Sequence, residues 1–423
     1  MIPRSVVEDI KPWLGTNKIL ILKGARRCGK TEVLHTLQKY MDDRGENTML
    51  MSAEQKRHLP IFSDPKLFLR FLKDQHNLTG NKKLFVFIDE FQYIRQAGVF
   101  FKAVYDMAGN DLQLILAAST SFKVSRNTED LQLIRKTFHV RRLSFQEYMT
   151  QKSEFSYKET FDIDEKEKIQ DFYALYREDL ERCLVSYMYW GGYPEVVQEK
   201  NSERQFAILD DIIHGHIEKD ISSFLRVENV DAYIKLMEIL SAEVGNLLNH
   251  QDLSTRLNIH KKTLGKYLEI ISGTFTFSFV PPYFTDTKKE LAKMNKVYAH
   301  DPGIVSYFLR QTPPDQSGYY PHLSRVKNLV FTELLKKGYT DNIFFYRTIA
   351  KAEIDFILCK EKEIIPIKVK FGKKKQKVPV VVKNFMKLYP EVAKRAIVIT
   401  QDELRYENNC TFVPICLFPF LKF

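Results

Sequence analysis

Two stretches of the chain hold residues of the types and spacing that phosphate chemistry needs. The first is Gly24-Ala25-Arg26-Arg27-Cys28-Gly29-Lys30-Thr31, which satisfies G-x-x-x-x-G-K-[ST]. It lies between the apolar run Ile19-Leu20-Ile21-Leu22 and the helix-like Glu32-Val33-Leu34-His35-Thr36-Leu37. The glycines let the backbone curl so that successive N–H groups face one point, and the helix that follows adds the partial positive charge of its N-terminus. An anion suits that spot, with Lys30 reaching the β- and γ-phosphates of ATP and the Thr31 hydroxyl ligating Mg²⁺. The second stretch runs from Lys82 to Gln92. Leu84-Phe85-Val86-Phe87-Ile88 suits a strand buried on both faces, and Asp89 and Glu90 follow at the end where open α/β sheets place their ligands. This is the form of a Walker B element, in which Asp89 holds Mg²⁺ and Glu90 orients or deprotonates the attacking water. A third apolar run, Leu112 to Ala118, ends in Ser119-Thr120-Ser121. Ser119 is the hydroxyl placed to meet the γ-phosphate or its water, though serines also simply open loops.

These groups need a parallel sheet with helices on its faces to bring them together. Strand-like and helix-like segments alternate through residue 150, which predicts a three-layer α/β domain over residues 1–150. Its segments include a short amphipathic helix with Val6, Val7, Ile10 and Trp13 on one face, and a strand at Thr48 to Ser52. A helix around Leu67-Phe68-Leu69-Arg70-Phe71-Leu72 is expected to be mostly buried, and a fourth strand to run from Phe138 to Leu143. Ser144 with Glu147 forms a capping box at the next helix.

At 423 residues the chain is too long for one ordinary core. Its 44% hydrophobic and 28% charged residues are those of a water-soluble globular protein, and no apolar run approaches membrane-spanning length. Cys28, Cys183, Cys359, Cys410 and Cys416 are scattered without metal-ligand spacing, so a reducing, cytoplasmic setting is expected. A formal charge of +11 favours an acidic partner, nucleic acid first.

Beyond the first domain, residues 151–240 read as a helical lid. Apolar periodicity at Tyr173, Leu180, Leu184 and Tyr187 leads to the turn Trp190-Gly191-Gly192-Tyr193-Pro194, and helix resumes through Ile212, Ile213, Ile217, Asp220 and Ile221. Residues 241–324 read as a winged helix-turn-helix. Helices at 252–259 and 261–271 precede hairpin segments near Phe277 and Val297, and a DNA-binding version would present Lys261, Lys262 and Lys266. Residues 325–423 give helix, strands, helix, strand, the layout of a restriction-endonuclease-like fold. Such nucleases hold Mg²⁺ with an acid on one strand and a carboxylate and a lysine two apart on the next. Asp355 and Lys370 fit the outer positions, but Lys368 stands at the second carboxylate, and an ammonium repels Mg²⁺. The domain is therefore expected to be inactive as a nuclease, with Glu333 and Glu353 as the acids that could rescue it. The run Lys368, Lys370, Lys373, Lys374, Lys375 and Lys377 is either a grip on a phosphate backbone or a solvated loop.

The chain resembles a prokaryotic family of AAA-type ATPases whose members join an N-terminal ATPase domain to a C-terminal, nuclease-like domain of unknown function. The resemblance rests on residues 24–31, on Ile88-Asp89-Glu90-Phe91-Gln92, and on Leu143-Ser144-Phe145-Gln146-Glu147-Tyr148. Gly191-Gly192-Tyr193-Pro194 and Glu353-Ile354-Asp355-Phe356 extend it over nearly the whole chain. The double arginine of the loop and Gln92 are its most specific marks. It implies ATP binding with hydrolysis and gives no substrate. The family's phosphate-contacting arginine before the Leu-Ser-Phe segment corresponds here to Arg135, which lacks the usual preceding glycine, and the family's strand carboxylate is Lys368. The reading is an ATP-binding, Mg²⁺-dependent ATPase acting on a nucleic-acid or protein partner. The rivals are a DNA-binding switch with little turnover and an ATP-regulated nuclease.

Overall fold

The computed structural model describes residues 2–55, 60–76, 82–119, 131–153, 157, 159–217, 227–283, 294–311, 322–372 and 376–423. Thr120, Ser121, Asp220, Ile221, Lys373, Lys374 and Lys375 lie outside the described residues. Met1–Arg142 with Gly273–Phe275 forms one compact unit, and Leu143–Ser272 with Thr276–Phe423 forms a second.

The first unit is built on five strands, β1 (Ile19–Lys23), β2 (Asn47–Ser52), β3 (Leu84–Asp89), β4 (Leu112–Ala118) and β5 (Arg135–His139). Their order is β2-β3-β4-β1-β5 and every neighbouring pair is parallel. Successive strand residues point to opposite faces, so each strand feeds two cores. On one face Ile19, Ile21, Val86, Ile88, Leu114 and Leu116 pack with α3 (Pro65–His76) and α4 (Ala97–Ala108). On the other, Leu20, Leu22, Phe85, Phe87, Ile115 and Ala117 pack with α1 (Ser5–Ile10) and α2 (Lys30–Asp42). The result is the expected α/β/α arrangement, with β4 inserted between the strand that precedes the glycine-rich loop and the strand that ends in Asp89.

Two expectations are corrected. The helix α3 buries Phe68, Leu69 and Leu72 but leaves Leu67 46% exposed, because a helix docked on one face buries only every third or fourth residue. The last strand runs Arg135–His139 rather than Phe138–Leu143. It lies at the sheet edge, where a polar strand is tolerated, and the apolar Val140 and Leu143 are buried beyond its end.

The second unit opens with α5 (Phe145–Lys152), whose Ser144–Glu147 capping box is present. Then come β6 (Phe161–Asp162), the long α6 (Lys166–Trp190), α7 (Pro194–Gln198) and α8 (Ser202–Gly215). Helix α9 (Val230–Ala242) precedes α10 (His250–Leu257) and α11 (Lys261–Gly273), which are joined through Asn258 in the left-handed conformation. The antiparallel pair β7 (Phe277–Val280) and β8 (Lys296–Ala299) and the short α12 (Pro302–Phe308) follow. The rest is α13 (Leu323–Lys336), β9 (Ile343–Arg347), β10 (Glu353–Cys359), β11 (Ile364–Val369), α14 (Val380–Leu388), β12 (Ala396–Thr400), β13 (Arg405–Glu407), β14 (Cys410–Pro414) and β15 (Leu421–Lys422). Strands β9 to β14 form one sheet in the order β13-β14-β12-β11-β10-β9, antiparallel from β9 to β11 and parallel from β11 through β12 to β14. Strand β15 pairs with β6.

The Gly191-Gly192 turn is structural. A side chain on Gly191 would overlap the Asp301 carboxylate, and one on Gly192 would overlap the Leu143 carbonyl. Fully buried Asp301 accepts from the Gly192 and Gly303 amides at 2.8 and 2.9 Å. Sequence reasoning passed over Asp301, although Asp before Pro302 at a helix start is a readable cap signal.

Candidate functional site

The loop after β1 closes over its own end. Gly29 caps α2 in the left-handed region, with φ 97°, and offers no side chain to the first amides of the helix. Those amides receive no side-chain cap. Gly24 is needed for another reason. A Cβ there would overlap the Val140 carbonyl oxygen and lie 2.9 Å from Cys28 Sγ. That carbonyl also accepts from Cys28 Sγ at 3.1 Å, so residues just past β5 form a lid on the base of the loop. Arg4 braces the same place from below, donating to the Cys28 carbonyl at 2.8 Å and to that of Arg141.

Lys30 is buried and its ammonium donates to the Gly24 and Ala25 carbonyls at 3.2 and 2.9 Å, lying across the loop. Thr31 Oγ1 donates to Asp89 Oδ2 at 2.5 Å, which joins the start of α2 to the end of β3. Burial raises the Asp89 carboxyl above its usual range, and the Thr31 bond and the Lys30 charge oppose that rise. The order of the strands accounts for the meeting, because in a parallel sheet all C-terminal ends lie together. Glu90 follows with φ 52°, and its carboxylate accepts from Ser119 Oγ at 2.5 Å and from the Gln92 amide. Ser119 thus reaches Glu90 from the end of β4. Lys23, the last residue of β1, has its ammonium pushed down to about 8 by burial and then by the charge of Arg135.

The backbone of Arg135 is set away from the loop, although its charge is felt by Lys23 at the loop end of β1. Arg135 starts β5 and pairs with Ile19, whereas Lys23 pairs with His139. Its backbone is therefore at the far end of the sheet.

The second unit holds a different cluster. The register that pairs Phe356 with Ile367 brings Asp355 opposite Lys368. Lys368 Nζ lies 2.9 Å from Asp355 Oδ2, and Lys327 Nζ from α13 lies 2.7 Å from Oδ1. Lys296 from β8 pairs with Glu353, which Lys327 also approaches at 3.7 Å. Burial pushes the Asp355 carboxyl up, but Lys368, Lys327 and Lys296 together outweigh it and hold the group below its usual range. Both oxygens that would ligate a metal already face ammonium groups, so these residues do not fit Mg²⁺. Glu353 is taken by lysines, and Glu333 is used elsewhere, accepting from the Phe145 amide at 3.2 Å and from Tyr187 Oη at 3.4 Å. Lys368 is committed to Asp355, while Lys370 and Lys377 are exposed. Lys296 and Lys327 gave no signal in the sequence, since each is an isolated lysine far from Asp355 along the chain.

Comparison with known families matches residues 16–149 to the family described as AAA domain. An AAA domain fills that stretch. It is followed by matches to two domains of unknown function, DUF8612 over 181–315 and DUF4143 over 325–418. The AAA domain and its C-terminal companion bear out the resemblance read from the motifs. An uncharacterized protein of Haemophilus influenzae is 23% identical over 380 residues, covering 86% of this chain and 85% of that one. One from Methanocaldococcus jannaschii is 24% identical over 374 residues, covering 85% and 76%. Among solved structures, domain III of the Thermotoga maritima replication initiation protein DnaA is 13% identical with a TM-score of 0.29, covering 50% of this chain and 95% of that one. AMPPCP-bound DnaA from Aquifex aeolicus is 13% identical with a TM-score of 0.26, covering 62% and 86%. Likeness of that degree does not carry a function across. Among the described residues, no helix is long and apolar enough to cross a membrane.

Proposed function

We propose that the AAA domain binds ATP through residues 24–31 and hydrolyses it with Mg²⁺. The observation that carries this reading is the Thr31–Asp89 contact, which sets a hydroxyl and a carboxylate 2.5 Å apart beside a glycine-capped helix start. Two hard oxygen donors at one point suit Mg²⁺: Thr31 and Asp89 would hold the ion, which would neutralise phosphate charge. The open amides of α2 receive phosphate, and Lys30 exchanges its two loop carbonyls for β- and γ-oxygens. Glu90 accepts a proton from the water that attacks the γ-phosphorus as the bond to the β,γ-bridging oxygen breaks. Ser119 orients Glu90 from β4.

The domain layout proposed from the sequence is kept: ATPase over 1–150, helical lid over 151–240, winged helix-turn-helix over 241–324, and an inactive restriction-endonuclease-like domain over 325–423. The antiparallel β9–β11 followed by parallel β12 supports the last assignment. Nucleic acid is the favoured partner. Lys261, Lys262 and Lys266 are exposed on α11, and Gly265 between them has open space where a Cβ would stand, so a backbone can approach closely.

ATP turnover by the full chain, with and without duplex DNA, tests the reading. Wild type should hydrolyse ATP, and Glu90→Gln should keep ATP affinity while losing turnover by roughly a hundredfold or more. No nucleotide affinity in the presence of Mg²⁺ ends the proposal. Equal turnover in Glu90→Gln removes that residue from the mechanism. Retention on DNA that weakens with salt and with Lys261 and Lys262 substitution supports the partner, and no retention at low salt rejects it.

A further inference from the structure

A trans peptide is planar, so its C=O and N–H point in opposite directions, and whatever holds the carbonyl also aims the next residue's amide. At the trans peptide between Cys28 and Gly29 the carbonyl is held by Arg4, whose Nη1 donates to it at 2.8 Å. The Gly29 N–H therefore faces away from Arg4. It donates to no backbone carbonyl among the described residues.

That orientation needs holding. Gly29 sits at φ 97°, and a glycine adopts either sign of φ with little cost. Half a turn of the Cys28–Gly29 peptide, which changes ψ of Cys28 and φ of Gly29 together, is therefore a soft motion of this loop. It would exchange the N–H for a carbonyl oxygen, and an oxygen repels phosphate. The glycine that lets the loop curl thus also lets one of its dipoles turn the wrong way.

Arg4 is placed to oppose that turn. Its Nη2 donates to the Arg141 carbonyl, so the guanidinium is tied to the chain beyond β5 as well as to the loop. Its backbone is anchored by α1, where the Val7 amide donates to the Arg4 carbonyl at 3.1 Å. Val7 and Ile10 are buried in the same core as Ala25, Cys28 and Val140. A rigid fork of donors suits two carbonyls at once, which a lysine ammonium matches less well.

Resting on the ATP-binding reading above, we propose that Arg4 is a positioning residue for the phosphate loop. By gripping the Cys28 carbonyl it keeps the Gly29 N–H turned toward the phosphates of the nucleotide. It acts through the peptide and lies outside the G-x-x-x-x-G-K-[ST] pattern.

The test uses Arg4→Met, which keeps much of the side chain's length and removes its donors, in the full chain. Equilibrium titration with the non-hydrolysable ATP analogue AMPPCP and Mg²⁺ should show affinity roughly ten- to a hundredfold weaker, the effect of one aligned hydrogen bond to a charged group. KM for ATP should rise in step while kcat at saturation changes far less, because Arg4 meets no reacting atom. Arg4→Lys should recover part of the affinity. The peptide can also be watched directly. Cys28 is the one cysteine followed by glycine, so carbonyl-¹³C cysteine combined with ¹⁵N glycine gives a single correlated amide signal, that of Gly29. In wild type that signal should be single and move downfield when AMPPCP and Mg²⁺ are added. In ligand-free Arg4→Met it should broaden or double as the peptide exchanges between two orientations. A wild-type signal that stays in place while nucleotide binds overturns the proposal and leaves the ATP-binding reading standing, as does unchanged affinity in Arg4→Met. Equal losses of kcat and affinity together with a lower melting temperature make Arg4 a structural residue and also overturn it. If wild type binds no nucleotide with Mg²⁺, both readings fall.

Discussion

Asp355→Asn is the substitution that most directly tests the lysine-covered centre of the second unit. Asparagine keeps the shape and removes the charge, leaving Lys368 and Lys327, at 2.9 and 2.7 Å, without their shared counter-ion. Asp355 is fully buried, and removing one partner of a buried pair costs about 3–5 kcal/mol, because the other charge stays desolvated. For a unit of this size each kcal/mol lowers the melting temperature by ~2–4 °C, so a fall of between ~6 and ~20 °C is expected. The two tryptophans, Trp13 and Trp190, fall one in each unit. Trp190 fluorescence in a Trp13→Phe background therefore reports the second unit alone. The lysines hold the Asp355 carboxyl below its usual range. Its stabilisation is thus complete above the unfolded value of about 4 and is lost as acid protonates the folded group. Replacing Asp355 by leucine and both Lys368 and Lys327 by methionine should recover most of the loss, since apolar groups of similar volume often equal a buried ion cluster. A loss below about 1 kcal/mol in Asp355→Asn would refute the reasoning. So would stabilisation of wild type by millimolar Mg²⁺ that Asp355→Asn abolishes, because it would mean that a cation displaces the lysines.

Two further outcomes concern the AAA domain. Gly24→Ala puts a Cβ into the Val140 carbonyl, so either the loop or the end of β5 must move. A stability loss of about 1–3 kcal/mol with nucleotide affinity reduced well beyond it is expected by equilibrium titration, and near-normal affinity would mean the loop has room to spare. Lys23 has a folded value of about 8 against 10.5 when unfolded, so between those values the unfolded chain binds more protons and stability rises with pH. Relative to Lys23→Met, wild type should gain up to about 3 kcal/mol from pH 8 to 10.5, and parallel melting profiles for the two would reject the assignment.

The strand, loop and helix around residues 24–31 were legible because their signals are local. Two glycines, a lysine and a hydroxyl within eight positions leave little choice of conformation, and the apolar runs around them set strand and helix. The same holds for Leu84 to Asp89, where an unbroken apolar run can only be an interior strand. What stayed hidden depends on neighbours that sequence spacing does not reveal. Arg135 is close to the Leu-Ser-Phe segment along the chain, yet it starts a strand whose other end carries the site. Lys368 looked like a missing ligand, and its pairing explains more, because Lys327 from a helix and Lys296 from another hairpin complete the cover over Asp355 and Glu353. Leu67 shows the converse error, in which an apolar stretch was read as wholly buried although only one helical face meets the sheet.

The insertion of β4 between β1 and β3 has a consequence for synthesis of the chain. Strand β1 finds its neighbours only in β4 and β5, so residues 24–31 leave the ribosome long before Leu112, Arg135 and Val140 exist to hold them. The most recognisable part of the protein is thus among the last parts of its domain to take shape, and a nascent chain that stops short of Val140 carries every loop residue without the neighbours that hold the loop in place.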